Sequence, residues 1–179
     1  MRSYRLYENM DPEADISGED FDLVSQLNEN MKLDRIFEVV KEYIIQKGVG
    51  NCRSIVFIQD YEEELCMRNY YDMMIIMKNL LINAIQAGAA EIKVETVVKE
   101  GELVITVSDD GKGIDPQDKP YIFTPRFSTK EMKPDKDAGL GLYNVRKAII
   151  NSKGKFEIDS TPGKGTTCVV RFPLKEVLA

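Results

Sequence analysis

The sequence predicts an α/β (α+β) two-layer sandwich, in which a mixed, mostly antiparallel sheet is covered on one face by helices. Segments with apolar residues at helical spacing are separated by short β-branched runs, and four of the predicted strands form two adjacent pairs. The 179 residues, of which 43% are hydrophobic, are enough for one domain with a full core. The order of elements is not the strict strand–helix alternation of a doubly wound fold.

The first part of the chain contains an aperiodic segment, a helix and a strand. Residues 1–19 are acidic and lack a clear period, and we interpret them as a leader or as the remnant of an upstream dimerisation element. Apolar residues at helical spacing predict a helix from Leu33 to Gln46, with Asp34 as its candidate cap. Ser54–Ile58 is β-branched and apolar, which predicts a strand.

A second, longer helix is predicted from Asn69 to about Gln86, ending near Gly88. Asn69 and Asp72 have the three-residue spacing of a capping box. We therefore expect these two side chains to close the amino end of the helix.

The rest of the chain is predicted to form four strands and one helix. Two strands, Glu91–Val98 and Glu102–Val107, are joined by a short turn. A third helix begins near Leu140, and the chain closes with a hairpin of Lys155–Ser160 and Thr166–Phe172. This order gives the two-layer arrangement.

Composition excludes several functional classes. The net charge is −6 and the basic residues are dispersed, which argues against a nucleic-acid partner. No apolar run is long enough to cross a bilayer, so we expect no membrane contact by this chain. Three scattered cysteines without CxxC spacing indicate reduced thiols and a cytoplasmic location, whether or not the parent protein is membrane-anchored. The chain has no histidine, which excludes His-dependent triads and most zinc sites.

The second helix carries an unusual polar stripe. Asn79 and Asn83 lie four residues apart in a run that is otherwise almost wholly apolar, and Gln86 follows three residues later. Burying an unpartnered polar group costs roughly 1–3 kcal/mol, so a stripe of this kind suggests a bound polar group, such as a hydrated metal with phosphates. The alternative is that these amides satisfy the backbone of a neighbouring loop.

Two glycine-containing segments are candidate ligand sites. Asp109, Gly111 and Gly113 follow a strand, where the carboxylate can accept a hydrogen bond from an exocyclic amine and the glycines permit close approach. Gly139-Leu140-Gly141-Leu142 opens a helix, where exposed N–H groups bind phosphates. Each segment alone is also compatible with an ordinary turn or hinge.

A long loop, about residues 114–138, has the character of a lid. It lacks clear periodicity, and loops of this length in compact domains are usually functional or disordered. Phe123 and Phe127 are placed to fix the lid to the core, and Arg126 and Lys130 to reach phosphates. A solvated basic loop over a small aromatic cluster is the alternative.

Together these segments resemble the catalytic, ATP-binding domain of sensor histidine kinases, within the Bergerat-type superfamily of gyrase, the mismatch-repair ATPases and the large heat-shock chaperone. The resemblance extends from roughly Asp20 to Pro173 and rests on segments that match, in order, the family's asparagine box, first glycine box, phenylalanine box, second glycine box and closing hairpin. These are residues 79–84, 109–114, 122–130, 139–142 and 161–167.

The resemblance implies a site for ATP and Mg²⁺. It implies Asn79, Asn83 and Lys130 as catalytic residues, with Asn83 as the metal ligand. The nucleotide-binding residues that it implies are Asn83, Gln86, Asp109, Gly111, Gly113, Ile114, Phe123, Arg126, Lys130, Gly139, Leu140, Gly141, Leu142 and Thr167.

The chain departs from the family pattern in two places. Gln86 and Ala87 stand where the family often has a lysine and an aromatic residue, which lowers the expected nucleotide affinity. Asn79 stands where the ATP-hydrolysing relatives have a glutamate that activates water, and asparagine cannot act as a general base. Slow hydrolysis and transfer to a protein acceptor are therefore expected.

The implied function is that of a catalytic domain, residues 20–179, that transfers the γ-phosphoryl group of ATP to a histidine outside this chain. Its implied partners are a His-containing dimerisation or phosphotransfer element, upstream or in trans, and a downstream response regulator. Two alternatives stay open: a serine kinase resembling those that act on anti-sigma-factor systems, and a non-catalytic ATP-gated binding module.

Overall fold

A computed structural model describes residues 2–5, 30–48, 50–62, 64–125 and 139–179. The elements in chain order are β1 (Arg2–Arg5), β2 (Met31–Lys32), α1 (Leu33–Lys47), β3 (Ser54–Asp60), β4 (Cys66–Met67), α2 (Tyr70–Gln86), β5 (Glu91–Lys99), β6 (Glu102–Asp109), a 3₁₀ turn (Lys119–Tyr121), α3 (Gly141–Asn151), β7 (Lys155–Thr161), β8 (Gly165–Pro173) and α4 (Leu174–Val177). The predicted helices and strands are therefore present, most with longer bounds than the sequence indicated.

The main sheet of the described chain has the strand order β1-β3-β5-β6-β8-β7. Only the β3–β5 pairing is parallel, and the other neighbouring pairs are antiparallel. The prediction of a mixed, mostly antiparallel sheet is confirmed. Residues 2–5, which we interpreted from the sequence as part of a leader, form β1 and pair with β3 at the edge of the sheet. Arg2 is opposite Gln59, and Arg5 is opposite Val56.

One face of the sheet is apolar and forms the core with the helices. Leu103, Ile105 and Val107 alternate along β6 and are almost completely buried, and Val170 and Phe172 continue the same surface on β8. They belong to one cluster with the apolar faces of α1, α2 and α3. The central helix α2 packs against both α1 and α3, which places its polar stripe next to the start of α3.

The expected side-chain caps do not form, because tertiary partners take the side chains that were to provide them. Asp34 lies in the first turn of α1, and its carboxylate accepts hydrogen bonds from Gln59 of β3 and from Tyr61, the residue after that strand. Asn69 makes no capping hydrogen bond at α2, and Asp72 accepts one from Ser152 at the end of α3, with an O···O distance of 3.4 Å. Asp34 joins the helical layer to the sheet and Asp72 joins α2 to the end of α3, instead of closing their own helices.

A second, two-stranded sheet lies beside the last residues of the chain. β2 pairs antiparallel with β4, and Leu178 forms a bridge to Met67 beside them. The N–H of Arg68 donates to the carbonyl of Val177 at 2.7 Å, and the N–H of Ala179 donates to the carbonyl of Cys66 at 2.9 Å. The final residues of the chain are thereby fixed next to the start of α1.

None of the helices in the described ranges is both long enough and apolar enough to span a bilayer.

Candidate functional site

Three polar side chains lie in a row across adjacent strands at one end of the sheet. In the strand register Asp109 of β6 is opposite Thr166 of β8, and Thr166 is opposite Ser160 of β7. Directly opposite residues of antiparallel strands share a face, with Cβ atoms about 4.5–5.5 Å apart. Val107, two residues before Asp109, faces the helices, so the row lies on the helix-covered face.

Asp109 occupies a partly buried position at the end of β6. Its carboxylate Oδ1 accepts a hydrogen bond from the N–H of Gly111 at 2.8 Å. Burial raises the pKa of the Asp109 carboxyl above its ordinary value, while bonds from the backbone of Gly111 and Thr166 act to lower it. The charge of Asp109 also reaches the neighbouring thiol, since burial, with a contribution from Asp109, raises the pKa of Cys168 to about 12.

Two glycines permit the loop after β6 to lie directly on the β7–β8 hairpin. Gly165 has a φ of 101°, and a Cβ there would collide with the carbonyl of Asp109, whose carbon would be 2.8 Å away. Gly113 has a φ of 70°, and its Cβ would collide with the carbonyl of Thr161. The N–H of Gly163 donates to the carbonyl of Lys112 at 2.8 Å. We call Asp109, Gly113, Ser160, Gly165 and Thr166 the strand end of the site.

The same loop also contacts the end of α2. The N–H of Lys112 donates to the carbonyl of Ala87 at 2.9 Å, and a Cβ on Gly111 would lie 2.9 Å from the Cβ of Ala87. Small residues at both positions therefore allow the loop and the helix to approach each other. The alanine at position 87, where the family often has an aromatic residue, is explained by this contact, because its small side chain leaves room for the loop at Gly111.

The two asparagines of α2 face the start of α3. The amide nitrogen Nδ2 of Asn79 donates to the carbonyl of Ile75, one turn earlier, at 2.8 Å. Its Oδ1 points at Gly141, where a Cβ would be 3.1 Å from this oxygen and 3.7 Å from the Oδ1 of Asn83. Two amide oxygens thus lie beside the first residue of an 11-residue helix.

The second glycine segment leads into this helix. Gly139 has a φ of 79°, a left-handed conformation that glycine adopts without strain. Gly139 and Leu140 are half-buried, and Leu142 packs against the core and anchors the first turn of α3. The unpaired N–H groups at a helix start attract anions. We call Asn79, Asn83, Gly139 and Gly141 the helix end of the site.

The residues at the helix end fit a magnesium–phosphate group. The Nδ2 atom of Asn83 is buried and has no hydrogen-bond partner among the described residues. A buried amide without partners is costly, and a phosphate oxygen would satisfy its N–H groups while the amide oxygen serves as a hard ligand. Since the described residues contain no cluster of three or more Asp, Glu, Cys or His side chains, Mg²⁺ would take its other ligands from phosphate and water.

Three further predicted site residues belong to the loop after β6 and to the end of α2. Ile114 is half-buried, and its N–H donates to the Oγ of Ser160 at 2.9 Å. Phe123 packs edge-on against Phe156 of β7, with ring centroids 5.3 Å apart, which fixes the first part of the predicted lid to the sheet. Gln86 is exposed at the end of α2, so it does not continue the half-buried stripe of the two asparagines.

Thr167 is placed on the opposite face of the sheet from Asp109. It pairs with Ser108 in the strand register, and its Oγ1 donates to the Oγ of Ser108 at 3.2 Å. Thr166, and not Thr167, is the β8 residue beside Asp109 on the helix-covered face. Neither Thr166 nor Ser160 was predicted as a site residue, although the alternation of faces along β8, counted from Val170 in the core, identifies Thr166.

Three further predicted residues, Arg126, Phe127 and Lys130, lie outside the residues that the structure describes, as does most of the predicted lid.

Comparison with known proteins gives one family and a consistent set of relatives. A profile of the histidine kinase-, DNA gyrase B- and HSP90-like ATPases matches residues 69–176. The chain is 31% identical over 152 residues to the sensor protein BceS of Halalkalibacterium halodurans, which covers 84% of this chain and 44% of that protein. It is 33% identical over 100 residues to the sensor histidine kinase CpxA of Escherichia coli, covering 55% of this chain and 22% of that protein. The chain thus spans less than half the length of these curated relatives.

Solved structures have the same fold. The catalytic domain of the histidine kinase ThkA superposes with a TM-score of 0.63 at 22% identity, covering 82% of this chain and 97% of that one. The mycobacterial sensor histidine kinase MprB gives a TM-score of 0.62 at 18% identity, with coverage of 82% and 97%.

Proposed function

The chain belongs to the histidine kinase-, DNA gyrase B- and HSP90-like ATPase family, and on this premise we propose that it binds Mg-ATP and transfers the γ-phosphoryl group to a histidine outside these residues, as the catalytic domain of a two-component sensor histidine kinase. The observation that carries the proposal is the meeting of two amide oxygens, from Asn79 and Asn83, with the start of α3 at Gly141. A helix start and a magnesium-compatible amide are the elements that hold a nucleotide's phosphates.

The strand end supplies recognition of the base. The carboxylate of Asp109 accepts a hydrogen bond from the exocyclic amine of adenine, because an ionised carboxylate only accepts. Its oxygens already accept from the backbone of Gly111 and Thr166, and we assign the remaining acceptor capacity of the carboxylate to the base. The N–H of Ile114, held by Ser160, fixes where the loop leaves the base pocket.

The helix end holds the triphosphate. The N–H groups at Gly141 and the following residues bind phosphate oxygens, and Gly141 leaves room for them beside the asparagines. Asn83 contributes its amide oxygen to the metal and its buried Nδ2 to a phosphate oxygen. When bound, Mg²⁺ supplies neutralisation of the charge on the phosphate oxygens. Arg126 and Lys130 are proposed as further phosphate contacts on the strength of the sequence alone.

The acceptor in this proposal is a neutral imidazole nitrogen. Its lone pair forms an N–P bond as the bond between the γ-phosphorus and the bridging oxygen of ADP breaks, and no base is required to begin the attack. Asn79 suits transfer to a protein acceptor better than it suits hydrolysis, because an amide is not a base that takes a proton from water. Its Nδ2 also donates to the carbonyl of Ile75, which holds the side chain in place.

The test supplies Mg-ATP labelled in the γ-phosphate together with a His-bearing helical hairpin in trans. We expect acid-labile, base-stable phosphate on the histidine of the acceptor, and its loss in Asn83→Ala. The control is Gln46→Ala, which removes an exposed amide from the last turn of α1 and leaves transfer unchanged.

Other outcomes favour other functions. Acid-stable phosphate on a serine of a partner protein favours a serine kinase. Tight ATP binding without transfer to any acceptor contradicts the proposal and favours an ATP-gated binding module. The partners that we propose, a phosphotransfer element and a response regulator, fit a cytoplasmic location, as do the three free cysteines.

A further inference from the structure

Ser160 is a buried polar side chain at the centre of the strand end. It is 5% exposed and lies on β7 directly opposite Thr166. Its Oγ contacts three groups: the N–H of Ile114 at 2.9 Å, the carbonyl of Gly165 at 3.1 Å and the Oγ1 of Thr166 at 2.9 Å. One hydroxyl therefore joins the loop after β6, the first residue of β8 and the side chain of Thr166.

The three contacts together determine the direction of each hydrogen bond. The hydroxyl of Ser160 has one proton, and the carbonyl of Gly165 can only accept, so the proton goes to that carbonyl. The Oγ of Ser160 then accepts from the N–H of Ile114 and from the hydroxyl of Thr166. All three bonds are made only when Thr166 donates its proton toward Ser160.

This direction changes what Thr166 offers to a ligand. With its proton committed to Ser160, the Oγ1 of Thr166 presents lone pairs to its surroundings. Its neighbour on the other side in the register is Asp109, whose ionised carboxylate is also an acceptor. The pocket wall formed by these two residues therefore accepts hydrogen bonds and donates none.

We propose that Ser160 is a positioning residue for nucleotide selection, which holds Ile114 in place and turns the Thr166 hydroxyl so that the pocket prefers a base with a 6-amino group over one with a 6-oxo group. This inference rests on the proposed ATP-binding function and extends it to a residue that does not itself contact the base. An amino group donates to the acceptors of the wall, whereas a 6-oxo group meets them with its own lone pairs.

The experiment measures the dissociation constants of ATP and ITP for the intact chain by calorimetry with Mg²⁺. ITP differs from ATP in its 6-oxo base. In Ser160→Ala the hydroxyl of Thr166 loses its acceptor and is free to donate to an oxo group. We expect ATP to bind about tenfold more weakly, and the preference for ATP over ITP to narrow at least threefold.

Two further variants separate positioning from structural support. Ser160→Thr keeps the hydroxyl and should restore the preference. Ser108→Ala is the matched control, because it breaks a hydroxyl pair with Thr167 on the opposite face of the same sheet. This control should leave both dissociation constants unchanged.

The ratio of the ATP and ITP dissociation constants in these variants tests the role of Ser160 directly. An unchanged ATP-to-ITP ratio in a folded Ser160→Ala protein overturns the inference, even if the melting temperature falls. If Ser160→Ala does not fold, Thr166→Val removes the oriented hydroxyl and keeps the Ile114 bond, and an unchanged ratio there overturns it equally. A wild-type chain that binds neither nucleotide would instead contradict the proposed function.

Discussion

The two ends of the site differ in how complete they are without a ligand. At the strand end the hydroxyl of Ser160 makes three hydrogen bonds, and Gly113 and Gly165 lie against backbone carbonyls. At the helix end the Nδ2 of Asn83 is buried and finds no partner in the part of the chain that the structure describes. Folding completes the first end, whereas the second end leaves a buried amide of Asn83 available to a bound group.

This difference predicts where mutations will be felt. Changes at the glycines of the strand end, Gly113 and Gly165, remove contacts that the folded chain makes with itself, so they should appear mainly in the free energy of unfolding. Changes at the helix end remove contacts reserved for the ligand, so they should appear mainly in nucleotide affinity. Three substitutions test this division, from the largest expected effect to the smallest.

Gly165→Ala should lower the free energy of unfolding by at least about 3 kcal/mol, because a Cβ there meets the carbonyl of Asp109 at a φ that alanine adopts with strain. Gly163→Ala is the matched control: its φ of 75° is similar but its Cβ meets nothing within 4 Å, so a cost of about 1 kcal/mol is expected. Urea unfolding measures both. Equal losses would mean that the close approach of loop and hairpin contributes nothing.

Gly141→Ala should have the reverse signature. The atoms nearest to its Cβ would be side-chain amides, at 3.1 Å from the Oδ1 of Asn79, so the free energy of unfolding should change by less than about 1 kcal/mol. The methyl group occupies the space assigned to phosphate, and ATP should bind at least about tenfold more weakly, or about 1.4 kcal/mol. Calorimetry checks this beside Asn144→Ala, an exposed change in the same helix turn. Unaltered affinity in Gly141→Ala would remove the phosphates from this position.

Asp109→Asn should change the free energy of unfolding least, and should raise it rather than lower it. Burial raises the pKa of the Asp109 carboxyl in the folded chain above its unfolded value, so its favourable contribution is present at low pH and is lost as pH rises through the folded pKa. At neutral pH the Asp109→Asn variant should therefore have a slightly higher free energy of unfolding than the wild type, by less than about 1 kcal/mol, and should bind ATP more weakly.

The pH dependence provides the check. The stability difference between Asp109→Asn and the wild type should shrink as pH is lowered through the raised pKa, and wild-type ATP affinity should fall over the same range because protonation removes the charge of the carboxylate and weakens it as an acceptor for the amine. A variant less stable than the wild type at neutral pH would show that Asp109 supports the strand end through its charge.

The sequence was most informative where local patterns and tertiary structure agree. The helical spacing from Leu33 and from Tyr70 predicted α1 and α2 nearly to their observed ends, and the β-branched runs predicted the inner strands. The four-residue spacing of Asn79 and Asn83 also predicted that both side chains share a helix face, and in the structure the Oδ1 atoms of both face Gly141.

Other features depend on contacts that no local pattern contains. Asp34 and Asp72 have the types and positions of capping residues, yet each is taken by a partner distant in sequence. Thr166 and Thr167 are adjacent and chemically identical, and only the register of β8 decides which of them shares a face with Asp109. The two-residue strands β2 and β4 are too short to carry any period.

The small sheet formed by β2, β4 and Leu178 has a mechanical consequence. Met31 and Leu178 both pair with Met67, so one short strand joins the segment that leads into α1 to the last residues of the chain. β8 spans nine residues, roughly 30 Å at the rise of a strand, between the strand end of the site and this corner. The segment before α1 and the last residues of the chain are therefore fixed to each other far from Asp109, at a distance that the length of β8 sets.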